Sequence, residues 1–172
     1  MDTKKGSPKA CPFIRQACVG DLEAVTAIET VCFPPEQAAS RESLARRLKL
    51  FGPSFMVAQE RPDGPVIGFI NGTVSNAPVI SDDMYEETAY EPGGDYQMIF
   101  GLDVLPRYRG QGIARTLMEA MIRLAWDEGR RGLVLTCKKE LVEFYEQFGY
   151  VNEGLSESVH GGVSWYDMRL IF

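Results

Sequence analysis

Two glycines and three arginines crowd the junction between an apolar run and a helical pattern. The stretch reads Leu102-Asp103-Val104-Leu105-Pro106-Arg107-Tyr108-Arg109-Gly110-Gln111-Gly112-Ile113-Ala114, with Arg115 next. The first amides of a helix have no internal partners, and the helix dipole adds positive potential around them. Glycine removes the side-chain wall, so a pyrophosphate can lie directly on those N–H groups. The three arginines add positive charge in a chain whose formal net charge is −6. The chemistry implied is an anion site for a phosphate-bearing cofactor, at Arg109, Gly110, Gln111, Gly112, Ile113, Ala114 and Arg115. A nucleotide P-loop needs Gly-Lys-Ser/Thr after its spacer, and that is absent. A dinucleotide fingerprint needs a third small residue where Arg115 stands and an early strand-helix-strand unit, whereas this loop follows four strands.

The elements that must hold this loop follow from periodicity. Phe13 to Gln16 reads as a short first strand. Asp21 is placed to cap a helix whose apolar face is Leu22, Val25, Ile28 and Cys32, and Phe33-Pro34-Pro35 ends it. Ser40 is placed to cap a second helix through Leu44 and Leu48, with Gly52 just past its end. Ser54 to Glu60 and Val66 to Val74 read as a hairpin turned by Arg61-Pro62-Asp63-Gly64. Asn76 to Asp95 is a long acidic, Gly- and Pro-containing connection with one helical turn around Asp82 to Thr88; such length signals function or mobility. Tyr96 to Val104 is the strand before the glycine loop. The helix after it has a buried stripe of Ala114, Leu117, Met118, Met121, Ile122 and Ala125, and stops at Gly129. Gly132 to Cys137 is a short central strand, and Glu140 to Phe148 is a further helix. Two closing strands, Tyr150 to Leu155 and Val163 to Ile171, are joined through His160-Gly161-Gly162. Antiparallel and parallel steps together predict a mixed α/β sheet with helices on both faces.

Bulk properties narrow the function. At 172 residues the chain fits one domain, expected at 11–172 behind a disordered lead-in at 1–10. No apolar run approaches the roughly 18 residues of a membrane span, and the polar N-terminus lacks a signal-peptide core. A cytoplasmic protein is expected, with no membrane partner. Net acidity argues against nucleic acid, because phosphate neutralisation needs a basic face. It suits steering of a cationic acceptor, or serves only solubility. The four cysteines contain no Cys-x-x-Cys pair and there is a single histidine, so neither a metal site nor a disulfide framework is expected.

Arg109-x-x-Gly112-x-Ala114 matches an Arg/Gln-x-x-Gly-x-Gly/Ala signature, and here the chain resembles the GNAT acetyltransferase superfamily. Leu135-x-Cys137-x-x-x-Leu141-x-x-Phe144-Tyr145-x-x-Phe148-Gly149-Tyr150 resembles the corresponding stretch of the arylalkylamine (serotonin-type) N-acetyltransferases. The similarity covers roughly residues 12 to 172 and is strongest from 98 onward. It implies a GNAT-like, mostly antiparallel sheet of six to seven strands. It also implies acetyl-CoA as cosubstrate, its diphosphate on the glycine loop and its pantetheine arm paired with the strand at Leu102 and Val104. The acceptor implied is a small primary amine, on a monomer or homodimer. A protein or peptide acceptor, or a non-catalytic acyl-CoA-binding domain, are the alternatives.

Acetyl transfer needs a neutral amine, a stabilised oxyanion and a proton for the leaving thiolate. In the resembled family a strand bulge frees an N–H for the thioester carbonyl; beside Gly101, the Leu102 N–H is the candidate. Tyr145 falls where that family has its general acid, although its spacing with Leu141 and Phe148 alone favours packing in the core. The general base departs from the pattern. Met98 and Phe100 occupy the positions of a histidine pair, and neither accepts a proton. Water, a carboxylate such as Asp103, Glu29 or Glu36, Tyr96, or His160 are the open alternatives. The acceptor is expected near Phe33-Pro34-Pro35, the second helix and the Asn76 to Asp95 connection, either as an apolar slot or as plain surface packing.

Overall fold

Alternation and turn chemistry place the strands, and one misfit between them shapes the molecule. The computed structural model describes residues 11–86 and 90–172; the expected lead-in at 1–10 and residues 87–89 of the long connection lie outside the described residues. In chain order come β1 (Phe13–Gln16), α1 (Leu22–Cys32), α2 (Arg41–Leu50), β2 (Phe55–Gln59), β3 (Val66–Asn71), β4 (Val74–Ser75) and α3 (Asp83–Glu86). Then follow β5 (Tyr96–Ile99), β6 (Gly101–Val104), α4 (Ile113–Asp127), β7 (Gly132–Cys137), α5 (Val142–Glu146), β8 (Val151–Leu155) and β9 (Tyr166–Ile171).

The strands form two sheets, ordered β1-β2-β3-β6 and β4-β5-β7-β9-β8. Every pairing is antiparallel except β5 with β7. Two long strands are each interrupted, β3 into β4 and β5 into β6. Counted whole, they bring the described total to the upper end of the expected six to seven.

The interruption has a local cause. Ser75 pairs with Tyr96 and Asn71 with Gly101, so four steps on one strand face five on the other. The extra residue is a β-bulge at Ile99–Gly101, where the Phe100 N–H donates to the Asn71 carbonyl at 2.7 Å. Before the bulge the strand pairs in parallel with β7; beyond it, β6 belongs to the other sheet and the two strands splay apart. Gly72 sits across from the bulge, and a methyl there would lie 1.6 Å from the Met98 carbonyl oxygen. Only glycine lets the backbones approach this closely.

Helices cover both faces. The Val57–Phe69 pair faces α1 and α2, with Val25, Ile28, Leu44 and Leu48 beneath it. The Met56–Ile70 pair faces α4, whose buried stripe is Ile113, Leu117, Met118, Met121 and Ala125. Ser40 caps α2, its Oγ accepting from the Ser43 N–H at 3.1 Å. Asp21 departs from expectation. It makes no side-chain cap on α1. Instead its carboxylate takes two 2.8 Å bonds from Arg15 and one from the Cys18 N–H, tying β1 to the short turn before the helix. Arg15 holds that carboxyl below the usual aspartate range.

Gly72→Ala should lower the unfolding free energy by about 3 kcal/mol, the upper end of overpacking costs. Urea unfolding followed by circular dichroism measures this. An unchanged midpoint would contradict the close approach at the bulge.

Candidate active site

The glycine-loop end is built from backbone. Gly110 and Gly112 adopt φ of 75° and 84°, a left-handed conformation that favours glycine, and an added Cβ at either would meet open space. Gly112 is the N-cap of α4. Its carbonyl accepts from the Thr116 N–H at 3.0 Å and the Thr116 hydroxyl at 2.9 Å. The amides of Ile113, Ala114 and Arg115 precede the first residue with a helical acceptor four positions back, so they point out of the helix end. The arginines are held around them. Arg109 turns back under the loop, its Nε donating to the Val104 carbonyl at 3.0 Å and its Nη2 lying 3.5 Å from the Cys32 sulfur. Arg107 lies over Tyr108, and Arg115 over Phe148 while bonded to Gln147. The loop thus presents outward-facing amides with cations at its rim, the arrangement an anion site requires.

From that end a cavity of about 610 Å³ runs between the splayed strands. Leu102, Val104 and Ala114 line one side, and Leu135, Cys137 and Tyr145 the other. The Leu105 N–H donates to Ile67 on β3 at 2.9 Å. Alternation along an antiparallel strand therefore turns the backbone groups of Leu102 and Val104 away from β3, toward the cavity. The Leu102 N–H is thus a donor on a sheet edge with no neighbouring strand.

Tyr145 stands between core and cavity. Its ring packs edge-on against Phe144 and Tyr150, and its side chain also lines the cavity. Burial first, then the nearby Cys137 and Asp103, raises its pKa above the ordinary phenol value. It is therefore a protonated donor at neutral pH. Burial pushes the Cys137 thiol up to about 12, with Glu140 and Glu146 adding to the effect.

The far end is lined by contacts between distant segments. The His160 Nε2–H donates to the Gln37 carbonyl at 3.0 Å, and its ring stacks on Tyr85 at 5.3 Å. Trp165 Nε1 donates to the His160 carbonyl at 2.8 Å. Phe33, Phe100 and Trp165 face the same space, whereas Pro34 and Pro35 stand outside the wall. Met98 is buried with Ile80 and Val134 rather than exposed to the cavity. Of the carboxylates considered as bases, Glu29 and Asp103 are in the wall; Glu36 and Tyr96 are not.

Arg47, Tyr85 and Trp165 were not singled out by sequence. Arg47 is the clearest case. It is 5% exposed, donates at 3.2 Å to Asn71 Oδ1 and to the Tyr85 carbonyl, and lies 5.1 Å over the Phe100 ring. A signal was present: position 47 falls on the Leu44–Leu48 stripe of its helix, where a cation has no ordinary reason to stand. Among the described residues no group of three His, Cys, Asp or Glu side chains is placed to hold a metal, and no helix is long and apolar enough to cross a membrane.

Thiol labelling tests the buried wall. At pH 8 iodoacetamide should modify the exposed Cys11 and Cys18 readily and leave Cys137 intact. A thiol near 12 is ionised about one part in ten thousand there. Rapid labelling of Cys137, read by peptide mass spectrometry, would contradict this environment.

Comparison with known proteins gives the same architecture a family. A B. subtilis (strain 168) protein described as the uncharacterized N-acetyltransferase YkwB is 26% identical over 135 residues. That match covers 67% of this chain and 55% of the relative, so the chain spans about half the relative's length. Among solved structures, the loading GNATL domain of CurA from Lyngbya majuscula superposes with a TM-score of 0.79 at 15% identity, over 93% of this chain and 97% of that one. Arabidopsis thaliana Naa50 in complex with the bisubstrate analogue CoA-Ac-MVNAL superposes at 0.73 with 17% identity, over 94% and 99%. These two likenesses establish the fold. The model of the acetyltransferase (GNAT) family matches residues 22–150, which include the bulged strand, the glycine loop and Tyr145, and the chain belongs to that family.

Proposed function

We propose that the protein is an acetyl-CoA-dependent N-acetyltransferase that acetylates a primary amine of a small molecule by direct attack on the thioester. One observation carries this reading: the open helix end, the edge amide of Leu102 and the buried phenol of Tyr145 lie along one continuous cavity. The coenzyme diphosphate is assigned to the amides from Gly110 to Arg115, with Arg109 bracing the loop. The pantetheine arm is assigned to the free edge of β6 at Leu102 and Val104. The Leu102 N–H then polarises the thioester carbonyl and bonds the oxyanion. Tyr145 gives its proton to the departing thiolate. The four cysteines are free, which fits a reducing compartment such as the cytoplasm.

A small acceptor is favoured over a peptide by the contacts that tie the far end together. His160 is bonded to Gln37 across the cavity mouth, and the Gly161 backbone packs directly against that segment. An extended chain needs an open groove to lie in. The segment carrying Phe144, Tyr145 and Phe148 supports the arylalkylamine-like reading, while Phe100 makes the acceptor wall more apolar than a histidine would; Met98, turned into the core, takes no part in that wall.

Gly112→Glu should weaken acetyl-CoA binding tenfold or more by calorimetry, because even one lost charge-assisted bond costs about 1.5–3 kcal/mol. Tyr145→Phe should lower kcat about 100-fold with coenzyme affinity unchanged, the lower bound for general acid catalysis. Thiol release with a panel of small amines and short peptides tests the acceptor. Turnover of peptides alone would transfer the assignment to a peptide acetyltransferase, and tight coenzyme binding with no turnover would favour a binding domain.

A further inference from the structure

Two carboxyl groups in the cavity wall take no part in the roles assigned so far. Glu29 comes from α1 and Asp103 from β6, and they are 6% and 1% exposed. One Glu29 oxygen accepts from the Ala39 N–H at 2.9 Å. No donor of the described residues reaches either Asp103 oxygen, and Glu29 is the nearby carboxyl that acts on it most strongly. Two carboxylates buried side by side repel, so such a pair retains a proton. The Asn71 Nδ2 is likewise without an acceptor. A methyl on Gly101 would lie 3.3 Å from both Asn71 Nδ2 and Asp103 Oδ1. A small polar niche, with a donor on one side and an acceptor on the other, therefore opens one residue from the Leu102 amide.

We propose that Glu29 and Asp103 share one proton and form the anionic subsite that receives the acceptor's ammonium and then takes its proton. The proposal rests on the amine acetyltransferase reading and deepens it. It commits to a primary alkylamine, cationic at neutral pH, with an apolar tail against Phe33, Phe100 and Tyr85. The step balances. One N–H proton passes from the ammonium to the carboxyl pair, and the freed nitrogen pair forms the C–N bond at the thioester carbon. The tetrahedral centre collapses with loss of the C–S bond, and the sulfur takes the Tyr145 proton. The second nitrogen proton reprotonates the tyrosinate, and the pair returns its own proton to solvent.

The charges around the pair suit this task. Arg47 on α2 faces it and offsets its single negative charge, and Cys32 on α1 is adjacent. Tyr145 on α5 faces Asp103. Arg109 reaches the site only through the Cys32 sulfur. Lys138, Tyr85 and His160 belong to the same wall. Burial first, then the neighbouring Glu29, holds Asp103 well above the usual carboxylate range. A carboxyl held high is a stronger base than a free one, closer to working pH. Its activity should rise as pH climbs through that raised value.

Two measurements test the pair. Infrared spectroscopy of the protein with acetyl-CoA at pH 7 should show a protonated-carboxyl band that Asp103→Asn and Glu29→Gln each remove or shift. The second measurement is kcat/KM against pH with phenethylamine and a panel of alkylamines. Asp103→Asn should lower it about 100-fold, a typical loss for a missing base, and move the acid limb down in pH. Acetyl-CoA affinity should stay unchanged. The variant should fold: a carboxyl whose folded pKa is raised costs stability above its unfolded pKa, so its amide is at least as stable at pH 9. No protonated-carboxyl band in the wild type, or variants with unchanged pH profiles, would overturn the pair while leaving the acetyltransferase reading intact. A wild type that binds acetyl-CoA but acetylates no amine would overturn that reading, and the proposal with it.

Discussion

One strand, Tyr96–Val104, serves two sheets, and its misfit opens the molecule. A continuous ladder would pair it with β7 along its whole length and leave no cavity. The extra residue at the bulge, five steps facing four, bends the chain out of the second sheet into the first. β6 is left with one edge bonded to β3 and the other without a strand partner, its Val104 carbonyl held by Arg109. Bare strand edges are normally a hazard, because their amides and carbonyls invite pairing. Here the edge lines a cleft that also holds the buried carboxyls of Glu29 and Asp103.

The second dependence runs from that strand into the helix after it. Glycines in the left-handed region turn the chain sharply enough that α4 begins with its amides facing the same cleft. Strand edge and helix end thus present backbone donors to a single space. Backbone donors cannot rotate away as side chains do, and this preorganisation is what stabilises developing charge. The cavity side chains add protons and counter-charge. Arg47 offsets the carboxyl pair, and burial keeps the Tyr145 phenol protonated. In a chain of net charge −6, Arg47, Arg109 and Lys138 nonetheless line this cleft.

Legibility from sequence followed the range of the forces involved. The glycine loop, α4 with its buried stripe, β7 and the Ser40 cap are set by residues within a turn or two, and each is plain in the chain. Tyr96 to Val104 reads as one strand; Gly101 marks where it can bulge, but the break into two sheets is decided by the partner's register at Gly72. Asp21 looked like a helix cap, but an arginine six residues away on β1 offered its carboxylate two stronger bonds. The far end joins Gln37 to His160, 123 residues apart, which no spacing rule detects. Arg47 on an apolar helix stripe was the one site residue whose position could have been flagged in advance. Glu29 and Asp103 were visible as candidates among several, and only their burial in one wall separates them from Glu36 and Tyr96.

Amide hydrogen exchange with and without acetyl-CoA tests the central arrangement most directly, since it reads the backbone groups themselves. Leu102, Ile113, Ala114 and Arg115 should slow together by about tenfold or more on saturation, while the exposed strand β8 stays unchanged. Protection of the α4 amides without Leu102, or of neither, would contradict a cleft in which one ligand spans helix end and strand edge.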